Sequence, residues 1–369
     1  MMINTSPAPT PRRDIAIDIL AKSWTYLFLL AMVIFFSLTG PGFFSIRNFS
    51  SVLVTSTLVM LMAIGQTYVI ITAGIDLSIG WTVGLASVIS ATFMRNLVNG
   101  GMDVPPAIAI GVLAGLGASL IPGLINGLLI AKVKVPPFIA TLGMFGIIRG
   151  AAFLLTDGQQ VVGNLPNNLR DVLRDIGNGS LIYNVPGLGL RLFTLPDDLP
   201  AQQLRFVDQL LPYPVIIAVV VVAVFSFILA RTQFGRHTYA IGGNKDAAIR
   251  AGINLDRHLI LIYVLSAFTA GIAGVLHTFR FTAGSPLAGE AALLSSVAAV
   301  VIGGTSLFGG EGRIMGSVVG ALIIAVLQTG LVILNIDSLW QFVVVGIVII
   351  VAVLVNQSQA FLERQKTRA

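Results

Sequence analysis

The sequence predicts an all-α, polytopic membrane protein of about ten transmembrane helices with both termini cytoplasmic, and three observations predict it. The 369 residues are 56% hydrophobic and only 10% charged, against roughly 25% charge in soluble domains. Nine stretches of at least 18 residues contain no Asp, Glu, Lys or Arg, and about 20 apolar residues in a helix cross a hydrocarbon core of about 30 Å. The basic residues also gather on alternate connections between those stretches, which is the positive-inside bias. Cys is absent, which excludes disulfide scaffolds, thiol chemistry and Cys-based metal sites. The net charge of +6 is scattered between apolar blocks, so it marks topology and not a nucleic-acid surface.

In chain order, residues 1–11 are proline-rich and polar and read as disordered. Residues 12–23 read as a short amphipathic helix, with Ile15, Ile19 and Leu20 on one side, and lack the continuous apolar core of a cleavable signal peptide. Together, 1–23 make a cytoplasmic N-terminal segment, 24–356 a transmembrane domain and 357–369 a cytoplasmic tail. The expected spans lie in 23–46, 48–75, 77–94, 104–131, 135–156, 209–230, 258–279, 291–310, 314–336 and 338–362. The cytoplasmic face then holds Arg12, Arg13 and Lys22, Lys132 and Lys134, the five basic residues of 231–258, and Arg364, Lys366 and Arg368. The short outer connections hold only Arg47, Arg95 and Arg280. The long polar segment 156–212 falls outside, either as a folded cap or as a loop packed on its own helix ends.

Chemistry-bearing residues are few. Gly74, Asp76, Ser78 and Gly80 separate two apolar runs with scarcely room to reach water. An ionisable group at that depth is a functional candidate, while the plainer reading is that Asp76 caps the next helix. Gly304, Thr305 and Ser306 form a second glycine-rich break that loosely echoes the first, and simple helix packing also explains its glycines. Arg149, six residues before the end of its span at about Leu155, either snorkels or faces the bundle. Asn126, Thr141 and Gln328 are intramembrane polar groups suited to gluing helices. Trp24, Trp81 and Trp340 lie near span ends, and Trp81 is the one placed to stack on a sugar. With these, Gly74, Asp76, Ser78, Gly80, Trp81, Asn126, Thr141, Arg149, Gly304, Thr305 and Ser306 are the pore or gate candidates. His237, His258 and His277 have no metal-ligand spacing, and no lysine follows a glycine as a phosphate-binding loop requires. If ATP drives the process, another subunit binds it.

The cytoplasmic connection 231–258 contains a compact helix signal. Asn244 is a strong N-cap, Asp246 sits at the positive end, Arg250 at the negative end, and Gly252 can supply the left-handed terminus. A helix of about seven residues is too short to stand alone. Its small apolar side of Ala247, Ala248 and Ala251, with Ile249 beside them, suits a partner's groove better than a solvated connector.

Four blocks of this chain resemble the ribose-type sugar permeases of bacterial ATP-binding-cassette importers. They are 69–80, with Ala73, Gly74, Ile75, Asp76, Leu77 and Ser78; 135–143, with Pro136, Pro137 and Phe138; 234–236 with 240–248; and 299–310. The resemblance implies a permease subunit in the bacterial inner membrane that pairs with a second permease, identical or paralogous. It further implies two ATP-binding subunits that hold ATP and Mg, so that this chain carries no cofactor, and a periplasmic sugar-binding protein. Gly242, Gly243, Asn244, Lys245, Asp246, Ala247, Ala248, Ile249, Arg250 and Gly252 then correspond to the coupling region against the ATPase. The segment 156–212 is longer than the family pattern. A branched-chain amino acid permease, an ion-coupled secondary transporter and a membrane-embedded enzyme are the alternatives. The last two lack, respectively, enough intramembrane carboxylates and any nucleophile–base or metal set.

Overall fold

Two helices with small residues on their facing sides organise the molecule in the computed structural model. The structure describes residues 12–354 apart from 160, 162–164, 196–198, 338, 342, 349 and 352–353, with residues 12–23 and 201–202 described by their backbone alone. The expectation of disorder at 1–11 and the tail from 357 lie outside the described residues.

The chain runs α1 (Arg12–Thr39), α2 (Ile46–Ile71), α3 (Ile79–Asn99), α4 (Val104–Ala131) and α5 (Pro137–Leu154). The long connection 156–212 follows, with α6 (Asn167–Asn178), β1 (Ile182–Val185), β2 (Gly189–Leu192), α7 (Ala201–Leu204) and β3 (Asp208–Gln209). Then come α8 (Tyr213–Arg231), α9 (Gln233–Gly243), α10 (Lys245–Arg250), α11 (Leu255–Phe281), α12 (Glu290–Ile302) and α13 (Ile314–Ile333).

Among the described residues six helices are long and apolar enough to cross a membrane: α2, α4, α5, α8, α11 and α13. Shorter apolar stretches cover Trp24–Thr39, Glu290–Ile302 and Leu339–Val348. The most apolar windows of α2 and α11 are 83% and 67% buried, against 33%, 28% and 22% for α4, α5 and α8. Hence α2 and α11 form the axis, while α4, α5 and α8 turn much of their apolar surface outward, as helices facing lipid or a partner do. Close approach is set by small residues. A Cβ at Gly127 of α4 would come within 2.7 Å of the Ile260 Cα on α11, so only glycine allows this backbone contact.

Three elements depart from the sequence reading. Residues 12–23 are not a separate helix; α1 runs unbroken from 12 to 39. The expected span 291–310 yields only the 13 residues of α12, about 20 Å at 1.5 Å per residue and short of a core of about 30 Å. The rest of that expected span, 303–310, is a loop of turns and bends, and ahead of α12 lies an irregular stretch, 283–289, which is buried at Ala283, Gly284, Ser285, Pro286 and Gly289. It lies along α3, where the Ser285 amide donates to the Ser87 hydroxyl at 3.2 Å and the Gly284 carbonyl accepts from the Val161 amide at 2.6 Å. Irregular backbone at membrane depth survives when protein surrounds it. Finally, the 156–212 connection departs from the all-α expectation. It holds a three-stranded antiparallel sheet in the order β2-β1-β3, pairing Tyr183 with Arg191 and with Gln209. Beside the sheet, α6 buries Leu169, Leu173 and Gly177, the last against the Phe279–Arg280 backbone of α11. The segment is thus a folded cap seated on the end of the axis helix.

Candidate functional site: a buried polar loop and a capped surface helix

The break after α2 folds back into the bundle. Thr72 ends the helix, Ala73 takes a left-handed conformation (φ 59°), and the Ala73 and Gly74 amides donate to Ile70 and Val69 carbonyls at 2.8 and 3.0 Å. This is a Schellman terminus. It returns the chain alongside α2, where the Gln66 side-chain amide donates to the Asp76 carbonyl and accepts from the Asp76 amide at 3.4 Å. The α3 helix therefore starts beside Gln66, several residues back from the end of α2.

Asp76 is 2% exposed. One carboxylate oxygen accepts from the Ser78 amide at 3.0 Å and the Ser78 hydroxyl at 2.6 Å. The other accepts from the Ser266 hydroxyl of α11 at 2.8 Å. Asn126 of α4 donates to Ser78 Oγ at 2.9 Å, and Thr141 of α5 donates to the Ile75 carbonyl at 3.1 Å. Four helices thus converge on one short loop. The carboxylate lies next to the start of α3, where free backbone amides favour negative charge. Burying a carboxylate without such donors would be expensive.

The remaining pore or gate candidates divide. Gly80 packs against Gly289 and Leu293 at the start of α12. Trp81 is fully buried, with ring centroids of Phe145 and Phe153 at 5.6 and 5.8 Å. Arg149 is exposed on α5, its guanidinium carbon 5.2 Å from the Trp81 ring centroid, a cation–π distance. Trp81 therefore sits inside the bundle beneath Arg149, packed among protein side chains. Thr305 is buried and Ser306 partly buried in the loop 303–312. That loop lies at the same end of the bundle as residues 72–78, since the Gly310 amide donates to the Ile71 carbonyl at 2.8 Å. Gly304 (φ 86°) turns that loop but does not join the Asp76 cluster. Sequence reasoning missed Gln66 and Ser266, whose signal was only a polar residue within an apolar run, and Tyr263, which closes over Gly74.

At the same end, α10 carries both caps that its sequence calls for. Asn244 Oδ1 accepts from the Ala247 amide at 2.9 Å. Gly252 (φ 81°) makes a second Schellman terminus, with the Gly252 and Ile253 amides donating to Ile249 and Ala248 at 2.9 and 3.1 Å. Lys245, Asp246, Ala247, Ile249, Arg250 and Ala251 are exposed, whereas Ala248 is 4% exposed and packs inward. The outward apolar patch is therefore Ala247, Ile249 and Ala251, without Ala248. Gly242 and Gly243 belong to the end of α9, a helix the sequence reading did not separate. There Gly242 lies against the Ile71 carbonyl and the Gly310 amide, with no room for a side chain. Tyr239 of α9 donates to the Gly312 carbonyl at 2.7 Å. Burial pushes its phenol pKa up, with Arg313 pulling slightly the other way, so Tyr239 remains a donor. Through these contacts α9 is fixed to α2 and the 303–312 loop, and α10 packs on α9 and α11, while its outer face stays open. Among the described residues no group of His, Cys, Asp and Glu could hold a metal.

The family model described as "Branched-chain amino acid transport system / permease component" matches residues 48–353. The chain belongs to this permease family. The permease is 36% identical to the ribose import permease protein RbsC of Bacillus subtilis, over 97% of this chain and 100% of that protein. It is 36% identical to the fructose import permease protein FrcC of Rhizobium meliloti, over 89% of this chain and 83% of that one. It is 34% identical to the xylose transport system permease protein XylH of Haemophilus influenzae, over 90% and 96%. The resemblance to ribose-type sugar permeases read from the four sequence blocks therefore holds across nearly the whole permease. No solved structure matches it.

Proposed function

We infer that this permease moves a monosaccharide or polyol across the bacterial inner membrane as the transmembrane subunit of an ATP-binding-cassette importer. The observation that carries the reading is near-full-length similarity to permeases named for ribose, fructose and xylose. In this reading the permease has about ten spans and cytoplasmic ends. The six long apolar helices support that layout, together with the basic residues at 132–134 and 231–257. A second permease, identical or paralogous, supplies the other wall of the path, and a periplasmic binding protein delivers the sugar to the outer face beside α6 and the sheet. ATP and Mg belong to two partner ATPase subunits.

The ATPase docks on the exposed face of α10, around Lys245, Ala247, Ile249 and Arg250. Motion passes through Gly242 and Gly310 to the end of α2 and so to the Asp76 loop. Asp76, Ser78, Asn126 and Thr141 hold the starts and ends of spans in one arrangement, and a change of access requires that arrangement to shift. Arg149, over Trp81 on the outward side of α5, is the group of this set open to solute. The description of the family model favours a second reading, a branched-chain amino acid substrate. Co-expression with a cognate ATPase and binding protein, reconstitution in liposomes, and uptake of labelled ribose, fructose and leucine test both. Sugar uptake dependent on ATP supports the proposal. Leucine uptake alone, or uphill transport by the isolated permease, overturns it.

A further inference from the structure

A cavity of about 230 Å³ opens at the end of the bundle that carries α10. Its walls come from the α2–α3 loop, the α4–α5 turn, α10 and the first turns of α11. Leu259, Val135 and Ile130 make most of it apolar, whereas its charges are Lys134 and Lys245. Tyr263, a residue only 1% exposed, belongs to its wall, and its buried hydroxyl has no hydrogen-bond partner. It stands beside Gly74, whose Cβ position is 2.6 Å from that oxygen.

We propose that this cavity binds a phosphate-bearing ligand, with the phosphate between Lys134 and Lys245 and an oxygen accepting from Tyr263. Lys134 already shares Asp256 with Lys132, at 2.8 and 3.3 Å, so that corner keeps a cation beyond what the single carboxylate neutralises. Lys245 has no anionic partner among the described residues. A tetrahedral dianion reaches two separate ammonium groups and a hydroxyl at once, and lysine binds phosphate as a point charge. Basic pockets between helix ends on the cytoplasmic side suit lipid headgroups, and a soluble phosphate ester carries the same chemistry. Because Lys245 is on α10 and Lys134 on the α4–α5 turn, the ligand ties the surface helix to the bundle and restrains it. The binding does not depend on which solute is carried.

The test is thermal unfolding of the purified full chain in nanodiscs of phosphatidylcholine. One arm titrates inorganic phosphate against chloride at equal ionic strength, and the other replaces part of the lipid with phosphatidylglycerol. Stabilisation by phosphate identifies a soluble ligand, and stabilisation by phosphatidylglycerol alone identifies the headgroup. In Lys134→Gln with Lys245→Gln, apparent affinity is expected to fall at least about tenfold, the loss of one charge-assisted contact or more. Tyr263→Phe removes only an unpartnered hydroxyl, so it folds at least as well as the parent and binds several-fold more weakly. Response to neither probe overturns the proposal. So does an unchanged response in the variants, or an equal loss in Arg231→Gln, which removes a cation elsewhere on the same end.

Discussion

Asp76 holds its place through three donated hydrogen bonds, two from Ser78 and one from Ser266, with no ion pair to it among the described residues. Asp76→Asn turns one acceptor into an NH2 that must face a donor. The expected loss is about 1–3 kcal/mol for a buried group left unsatisfied. The variant should unfold at a lower temperature and accumulate less in membranes, whereas Asp171→Asn, on exposed α6, should match the parent. Equal unfolding of the two would make the cluster dispensable. Ala73 offers the opposite sign. Its left-handed backbone costs an L-residue roughly 1–2 kcal/mol, its side chain is exposed, and glycine adopts the conformation freely. Ala73→Gly should therefore raise the unfolding midpoint modestly. The local half of this site was legible in the sequence, because glycine, Asp and Ser within seven residues announce a break. Gln66 and Ser266 were not, because they look like ordinary polar residues in apolar helices until folding brings 66, 76 and 266 together.

At the scale of elements, α10 is the part the sequence described best, since both of its caps are local features. Its packing was less visible. Three alanines read as one face, yet Ala248 is the contact with the bundle and only Ala247 and Ala251 look out. That distinction decides the experiment. Ala247→Trp should leave folding intact and weaken copurification with the ATPase, while Ala248→Trp should damage the fold itself by overpacking, costing about 1–3 kcal/mol. Undiminished copurification and uptake with Ala247→Trp would remove α10 from the interface. Asn244→Ala, which takes away the N-cap bond, should destabilise α10 by about 1 kcal/mol and reduce coupling more than overall stability. The extent of α12 was hidden for a different reason. Absence of charge marks where a chain can lie in lipid, and the glycine-rich stretch 303–310 satisfies that count without forming a helix.

For the whole molecule, the lack of Cys makes the sidedness directly measurable. Leu188→Cys, in the outer segment, should react with a membrane-impermeant maleimide in spheroplasts. Ala251→Cys, beside α10, should react only after the membrane is opened. Labelling of both in intact spheroplasts would reverse or break the ten-span layout. The division between a buried axis of α2 and α11 and the outward α4, α5 and α8 could not be read from composition, because the mean hydropathy of buried α2 (1.7) matches that of outward α5 (1.6), and that of α11 (2.3) matches α4 (2.2).

The buried irregular stretch 283–289 also constrains how the chain is made. Its Ser285 amide is held by Ser87 on α3, its Gly284 carbonyl by Val161 and its Ala288 amide by the Ser285 carbonyl, so lipid alone gives it no stable resting place. The ribosome releases it almost two hundred residues after α3. Until it docks there, the last third of the polypeptide must be sheltered by the insertion machinery, and a gene cut between α8 and α11 should yield a second fragment that is degraded unless the first is already in the bilayer.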